Sequence, residues 1–358
     1  MNGRYLIGVI LILCLISCES KRANNKEILL VESDTTILDF EELVYFNSRF
    51  KLEEGNRLLT IQRSSRIYLV DFHSLSLFEK INLRELYEVL PEVELEGVAV
   101  DSSNFDLHLF YPRKSKVVVL NAARKKVKEI DLIGLEEIDH ELFAYNESFH
   151  FMKDQNKYIT GIRSNLVNID PTRYYASSAF VGIFDSETGL LLSTLSGYPE
   201  ERKEKVVSTL GMGTHRFKVW EDKVFVRQSL GSPLIEVFDI EGKPLKQSRL
   251  FSDHLDYTLR PYGGGNIGQS SIGDSYMSII PINENLIASN AIIFRDESRD
   301  IKKDRGLLLI EDLKNEIIYS HDIAPFQKLI HADDSYLYFI REHPNKDEVI
   351  LVKVKYEL

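Results

Sequence analysis

Arginine is the residue type whose placement in this chain most suggests chemistry. In the segments IQRSS, YPRKS, GIRSN, VRQSL and IREHP, a basic residue ends an apolar alternating run just before a short polar turn: Arg63, Arg113, Arg163, Arg227 and Arg341. A guanidinium is planar, permanently charged and matched to a carboxylate or phosphate through paired N–H donors. Five of them on one rim would concentrate positive potential on a chain whose formal net charge is −11. A lyase acting on an anionic substrate would need a general base beside them, and His215, Tyr262 and His343 lie closest to suitable loops in sequence. The bland alternative is that each arginine sits in a surface turn and pairs with a neighbouring Glu or Asp.

Other groups with chemical potential fall short of a motif. The stretch Gly263-Gly-Gly-Asn-Ile-Gly268 satisfies G-x-G-x-x-G, but Pro261 precedes it and no strand-to-helix context surrounds it, so it reads as a loop. The acidic segment from Asp296 to Asp304 alternates with basic residues and lacks the spacing of a calcium loop. The nine histidines include no H-x-H or H-E-x-x-H, so no metal or other cofactor is expected. No G-x-S-x-G elbow occurs, and no catalytic residue is assigned. The negative charge excludes a phosphate-neutralising nucleic-acid surface.

The elements that would position the arginines are short strands. Leu58 to Gln62, Ile67 to Val70 and Leu77 to Leu83 form an antiparallel meander with period-two alternation. Apolar strands ending in an acid or amide recur as Tyr68-Leu-Val-Asp71, Val118-Val-Leu-Asn121, Gly182-Ile-Phe-Asp185, Glu236-Val-Phe-Asp239 and Leu308-Leu-Ile-Glu311. Each leads through a turn to a further run, with Gly189 and Gly242 where a hairpin requires positive φ. A last unit, Lys328 to His331, Tyr336 to Ile340 and Glu348 to Tyr356, lacks its outer strand. The segment Glu27 to Glu32, or else Thr36 to Phe40, supplies it and closes the ring. The pattern predicts an all-β, six-bladed β-propeller of four-stranded antiparallel blades, with seven blades or an open stack as alternatives. Short helices are expected at Asn82 to Leu90, Leu135 to Tyr145 and Pro199 to Val207.

Both cysteines, Cys14 and Cys18, lie at the N-terminus. Arg4 is followed by an apolar run from Tyr5 to Ile16, long enough for a signal peptide and too short for a permanent span. The run ends Leu15-Ile16-Ser17-Cys18, which resembles the lipobox of bacterial lipoproteins. That resemblance implies cleavage before Cys18 and acylation of its thiol, with residues 1–17 as signal peptide, 18–26 as lipidated tether and 27–358 as a single propeller domain. The strand Arg66-Ile-Tyr-Leu-Val-Asp71 resembles the repeat of TolB-like and NHL-like six-bladed propellers, and the whole chain is similar to propeller lipoproteins of Bacteroidota.

The resemblance implies a cell-envelope protein anchored to the outer membrane, facing the periplasm and monomeric, and transfers no catalytic residue. Two functions follow as expectations. The favoured one is a non-catalytic propeller binding a protein, peptide or glycan. The alternative is a hydrolase or lyase of an anionic polysaccharide that holds its substrate with Arg163, Arg227 and Arg341.

Overall fold

The computed structural model describes residues 23–38, 48–53, 58–63, 66–86, 95–143, 149–168, 171–198, 215–228, 232–257, 260–261, 271–272, 274–293, 305–325, 327–342 and 349–358. The expected helix at Pro199 to Val207, the glycine-rich loop and the Asp296 to Asp304 segment lie outside them.

Six antiparallel sheets form a ring. Blade one is Arg49–Leu52, Leu58–Arg63, Arg66–Asp71 and Leu77–Asn82. Blade two is Gly97–Asp101, Asp106–Tyr111, Lys116–Leu120 and Lys126–Asp131. Blade three is Phe149–Met152, Lys157–Ser164, Val181–Asp185 and Leu191–Leu195, with the helix Pro171–Ser177 between its second and third strands. Blade four is His215–Trp220, Lys223–Gln228, Leu234–Asp239 and Pro244–Arg249. Blade five has a split first strand, Ser275–Tyr276 and Ile280–Pro281, followed by Leu286–Ile293, Arg305–Asp312 and Ile317–Ile323. Blade six is Lys328–Ala332, Tyr336–Glu342 and Val349–Glu357, completed by Leu29–Ile37.

The residue pattern explains these assignments. Central strands such as Lys116–Leu120 are apolar on both faces because each blade packs against two neighbours. Outer strands such as Lys126–Asp131 bury only Ile130 and carry charge elsewhere, which also protects their edges. The acids that end the third strands accept turn N–H groups: Asp71 Oδ1 from Ser74, Asp185 Oδ1 from Thr188 and Asp239 Oδ1 from Lys243. That local bonding is why an acid recurs there. Gly189 and Gly242 have φ of 74° and 92°. A Cβ on Gly189 would stand 1.9 Å from the Asp131 carbonyl oxygen of blade two, so this turn also docks one blade on the next.

Four differences from the sequence reading stand out. In blade five the turn acid is Asp312, whose Oδ1 accepts from Lys314 and Asn315, while Glu311 points into the core. Among the described residues of the predicted helices only single turns form, Leu83–Leu86 and Glu136–Ile138, and after the second His140–Leu142 pairs as a strand with Lys157–Ser164. The closing strand is Leu29–Ile37, which takes in Leu29 to Glu32 of the first proposed segment and Thr36 and Ile37 of the second, and it pairs antiparallel with Val349–Glu357. The preceding strand Asn24–Glu27, of which the sequence reading gave 24–26 to the tether and Glu27 to the closing strand, instead pairs in parallel with Ile317–Ile323 and covers the edge of blade five. Buried Ala23 and Ile28 pin both ends of that strand, so the N-terminus stitches two blades together.

Candidate functional site

First strands line the axis of a propeller, so the ends of six separate short strands build whatever occupies its centre. Here they enclose a cavity of about 470 Å³. Its wall takes Lys51 to Glu53 from blade one, Val100 from blade two, His150 to Met152 from blade three, Lys218 to Glu221 from blade four, Ile280 to Ile282 from blade five and His331 to Asp334 from blade six. Charged and polar side chains, among them Lys51, Glu53, His150, Lys218 and His331, share this wall with apolar ones such as Phe151, Met152 and Ile280. Trp220, the single tryptophan of the chain, belongs to this wall.

The polar groups differ in how committed they are. Lys51 Nζ donates to Glu53 Oε2 at 2.7 Å and to the Val98 carbonyl at 3.1 Å, while Glu53 Oε1 accepts from Thr60 at 2.8 Å. That pair is buried and neutralised. Asp333 Oδ1 accepts the Ser335 and Tyr336 N–H groups, and its Oδ2 accepts from Tyr338 at 3.2 Å. Burial pulls the His331 imidazole down to about 4, with Lys218 adding to the effect and Asp333 opposing it. His331 is therefore neutral near pH 7, packed edge-on to Phe72 at 5.6 Å.

The cavity opens where the first strands turn into the second, since Glu221 and Asp334 on its wall are exposed. The described residues of those turns carry Asp154, Glu221, Asp222, Glu284, Asp333 and Asp334, against Lys153 as the one cation. Lys153 is itself held by Asp101 at 2.9 Å. Among the described residues the mouth is acidic.

The arginines lie at the other end. Pairing of Arg49 with Gln62 and of Leu52 with Leu59 sets Arg63 at the start of the first strand, away from the cavity, and the same antiparallel logic applies in each blade. The sequence therefore placed all five at the end of a second strand or in the turn after it, and for Arg113 and Arg163 the structure shows the carboxylate pairing given above as the alternative. Arg113 is 69 % exposed with its Nε 3.6 Å from Glu96, and Arg163 Nε donates to Glu141 at 2.6 Å. Arg227 is wholly buried: one Nη donates to both oxygens of Glu311, at 2.6 Å for Oε1, and the other to Ser289 at 2.8 Å, with the guanidinium 3.9 Å from the Tyr276 ring. No ligand at the surface reaches it, because it is a strut between blades four and five. Arg63 and Arg341 are half-buried. His215 is 2 % exposed and stacks on Phe180 at 4.8 Å, a core histidine. Tyr262, His343 and Cys18 lie outside the described residues.

The cavity residues escaped the sequence reading because they come from six strand ends of four residues or fewer, none with a motif. The lone tryptophan one residue ahead of an acidic turn was the available signal.

No family model and no curated protein matches the chain. Solved structures do match. A member of the DUF4221 family from Bacteroides vulgatus superposes with a TM-score of 0.63 at 13 % identity, covering 95 % of this chain and 99 % of that one. A Bacteroides fragilis protein described as exported gives a TM-score of 0.57 at 12 % identity, covering 94 % and 99 %. At these identities the likeness defines the fold, and with the blade count above it makes this chain a six-bladed β-propeller.

Proposed function

We propose that this chain is a lipid-anchored envelope protein whose propeller binds a protein, peptide or glycan ligand in its axial cavity without transforming it. The observation that carries the binding role is the cavity of about 470 Å³, lined from all six blades and walled in part by Trp220. Against the lyase alternative, among the described residues no arginine lines this cavity; Arg113 and Arg163 are engaged by carboxylates at the opposite end, and Arg227 by Glu311 inside the seam between blades four and five. The envelope address rests on Ile16-Ser17-Cys18 after the apolar run and accords with the exported description of the Bacteroides fragilis neighbour. The membrane is then the first partner, through acyl chains on Cys18.

The test uses a soluble protein starting after Ser20, titrated with glycan and peptide libraries while tryptophan emission is followed. A ligand that binds in the cavity shifts the Trp220 signal and loses affinity in Met152→Trp, which narrows the space. Ligands that bind without either effect, or that are released cleaved, overturn the reading. For the anchor, mass spectrometry of the native protein is expected to find a diacylglyceryl-modified Cys18 and, in Cys18→Ser, an unprocessed precursor.

A further inference from the structure

The strand Asn24–Glu27 determines at which end of the propeller the residues leading to Cys18 are attached. Asn24 pairs with Ile317, and its N–H donates to the Glu316 carbonyl at 3.4 Å. Glu316 belongs to the turn between the third and fourth strands of blade five, Arg305–Asp312 and Ile317–Ile323. In an antiparallel meander that turn lies at the same end as the turn between the first and second strands. A direct contact joins the two turns: the Leu313 N–H donates at 2.8 Å to the carbonyl of Asn285, which stands between Ile282 of the cavity wall and the second strand. Exposed Glu221 and Asp334 mark this as the end at which the cavity opens. Ala23 is 7 % exposed and belongs to the buried cluster that includes Leu313 and Ile318. It is therefore fixed at the mouth end, beside the outer strand of blade five.

Cys18 is five residues ahead of Ala23, and five residues reach at most about 18 Å even when fully extended. The third strand of blade five, eight residues long, spans about 26 Å from one end of the propeller to the other. We infer that the lipid anchor holds the mouth of the cavity next to the membrane and turns the arginine-bearing end outward, so that the cavity draws its ligand from the layer at the lipid surface. The inference rests on the anchor proposed above and adds the orientation that the anchor imposes. Presenting the arginine-bearing end to the lipid would require the acylated Cys18 to pass the whole height of blade five, and the tether is too short for that. The acidic mouth is repelled by anionic headgroups, so the short tether rather than adhesion of the face sets this orientation.

Cysteine occurs only at positions 14 and 18, the first lost with the signal peptide and the second blocked by acylation, so one introduced cysteine takes a dye selectively. Two full-length variants test the orientation: Asp154→Cys, at the mouth end of blade three, and Arg163→Cys, at the other end of the same blade. Both positions are exposed, and the strand Lys157–Ser164 sets the two labels about 20 Å apart. Each lipidated, donor-labelled protein is inserted into vesicles of phosphatidylethanolamine and phosphatidylglycerol that carry a lipid-linked acceptor. Energy transfer is expected to be at least twofold greater from Asp154→Cys than from Arg163→Cys. Inserting about twenty glycine and serine residues after Ser20 gives a flexible tether long enough to pass the blade, and the difference is expected to disappear. Equal or greater transfer from Arg163→Cys, in protein whose Cys18 is shown by mass spectrometry to be acylated, overturns the inference and leaves the anchor and the cavity's binding role standing. A difference that survives the longer tether also overturns it, because adhesion of the face would then orient the chain. An unmodified Cys18 removes the anchor and this inference with it, while the Trp220 titration still decides the binding role.

Discussion

The seams between blades two and three and between blades four and five solve the same packing problem with opposite chemistry. At the first, Phe110 and Phe149 stack at 4.7 Å, His108 stacks on Phe151 at 3.9 Å, and within the buried part of the seam His108 Nδ1 meets the Tyr158 hydroxyl at 2.8 Å. At the second, Arg227 and Glu311 meet with no exposed surface on either side chain, beside the Tyr257 and Tyr276 hydroxyls 3.1 Å apart. The aromatic seam tolerates small changes, because neighbouring apolar atoms collapse partway into a gap. The ionic seam does not, because removing one charge strands the other away from water.

The sharpest way to break this contrast is Arg227→Ala. It leaves Glu311 buried and uncompensated, and urea denaturation is expected to show a loss of about 3–5 kcal/mol. Arg227→Met with Glu311→Leu restores most of it; a double variant as unstable as the single one would show that the pair is worth far more than its desolvation.

Acid separates the seams next. Burial pulls the His108 imidazole down to about 4, so the unfolded chain takes up its proton first as pH falls. Stability from this group is complete above about 6.5 and is lost between about 6.5 and 4, by up to about 3 kcal/mol. Glu311 acts in the other direction: burial raises its carboxyl against the pull of Arg227, so the folded state binds that proton more readily than the unfolded chain. Thermal melts from pH 7.5 to 4 should therefore fall more steeply in the parent than in His108→Gln.

The smallest effect is expected outside both seams. Arg163→Ala breaks an exposed pair with Glu141 and a contact 4.4 Å from the Phe143 ring, and the melt should move by less than about 1 kcal/mol. A larger loss would mean that the arginine-bearing end carries structure as the ionic seam does.

The sequence disclosed the parts of this fold that are governed locally. Asp71, Asp185 and Asp239 bond their own turns, and Gly189 and Gly242 supply positive φ, so each leaves a mark within five residues. The closing strand was legible because Leu29–Ile37 has strand composition and blade six visibly lacked an edge. Asn24–Glu27 was not, since NNKE is polar throughout and has no apolar alternation to mark it as a strand. In blade five two acids stand side by side, and a slip of one residue exchanges the turn for the core, which hid the partner of Arg227. The arginines were placed correctly along their strands, yet their roles depend on Glu96, Glu141 and Glu311, supplied from elsewhere in the chain. The cavity was least visible, because no single segment contributes more than four residues to its wall.

The stitch made by Asn24–Glu27 also gives the molecule a mechanical grain. A pull delivered through the residues ahead of Ala23 reaches this strand before any blade. Its four register pairs, from Asn24 with Ile317 to Glu27 with Ser320, run in the same direction as the blade-five strand. Tension along that axis loads all four together in shear, while tension away from the edge peels them one by one. Resistance to force therefore depends on the angle of the pull, and the closing strand of blade six is loaded only after the stitch has given way.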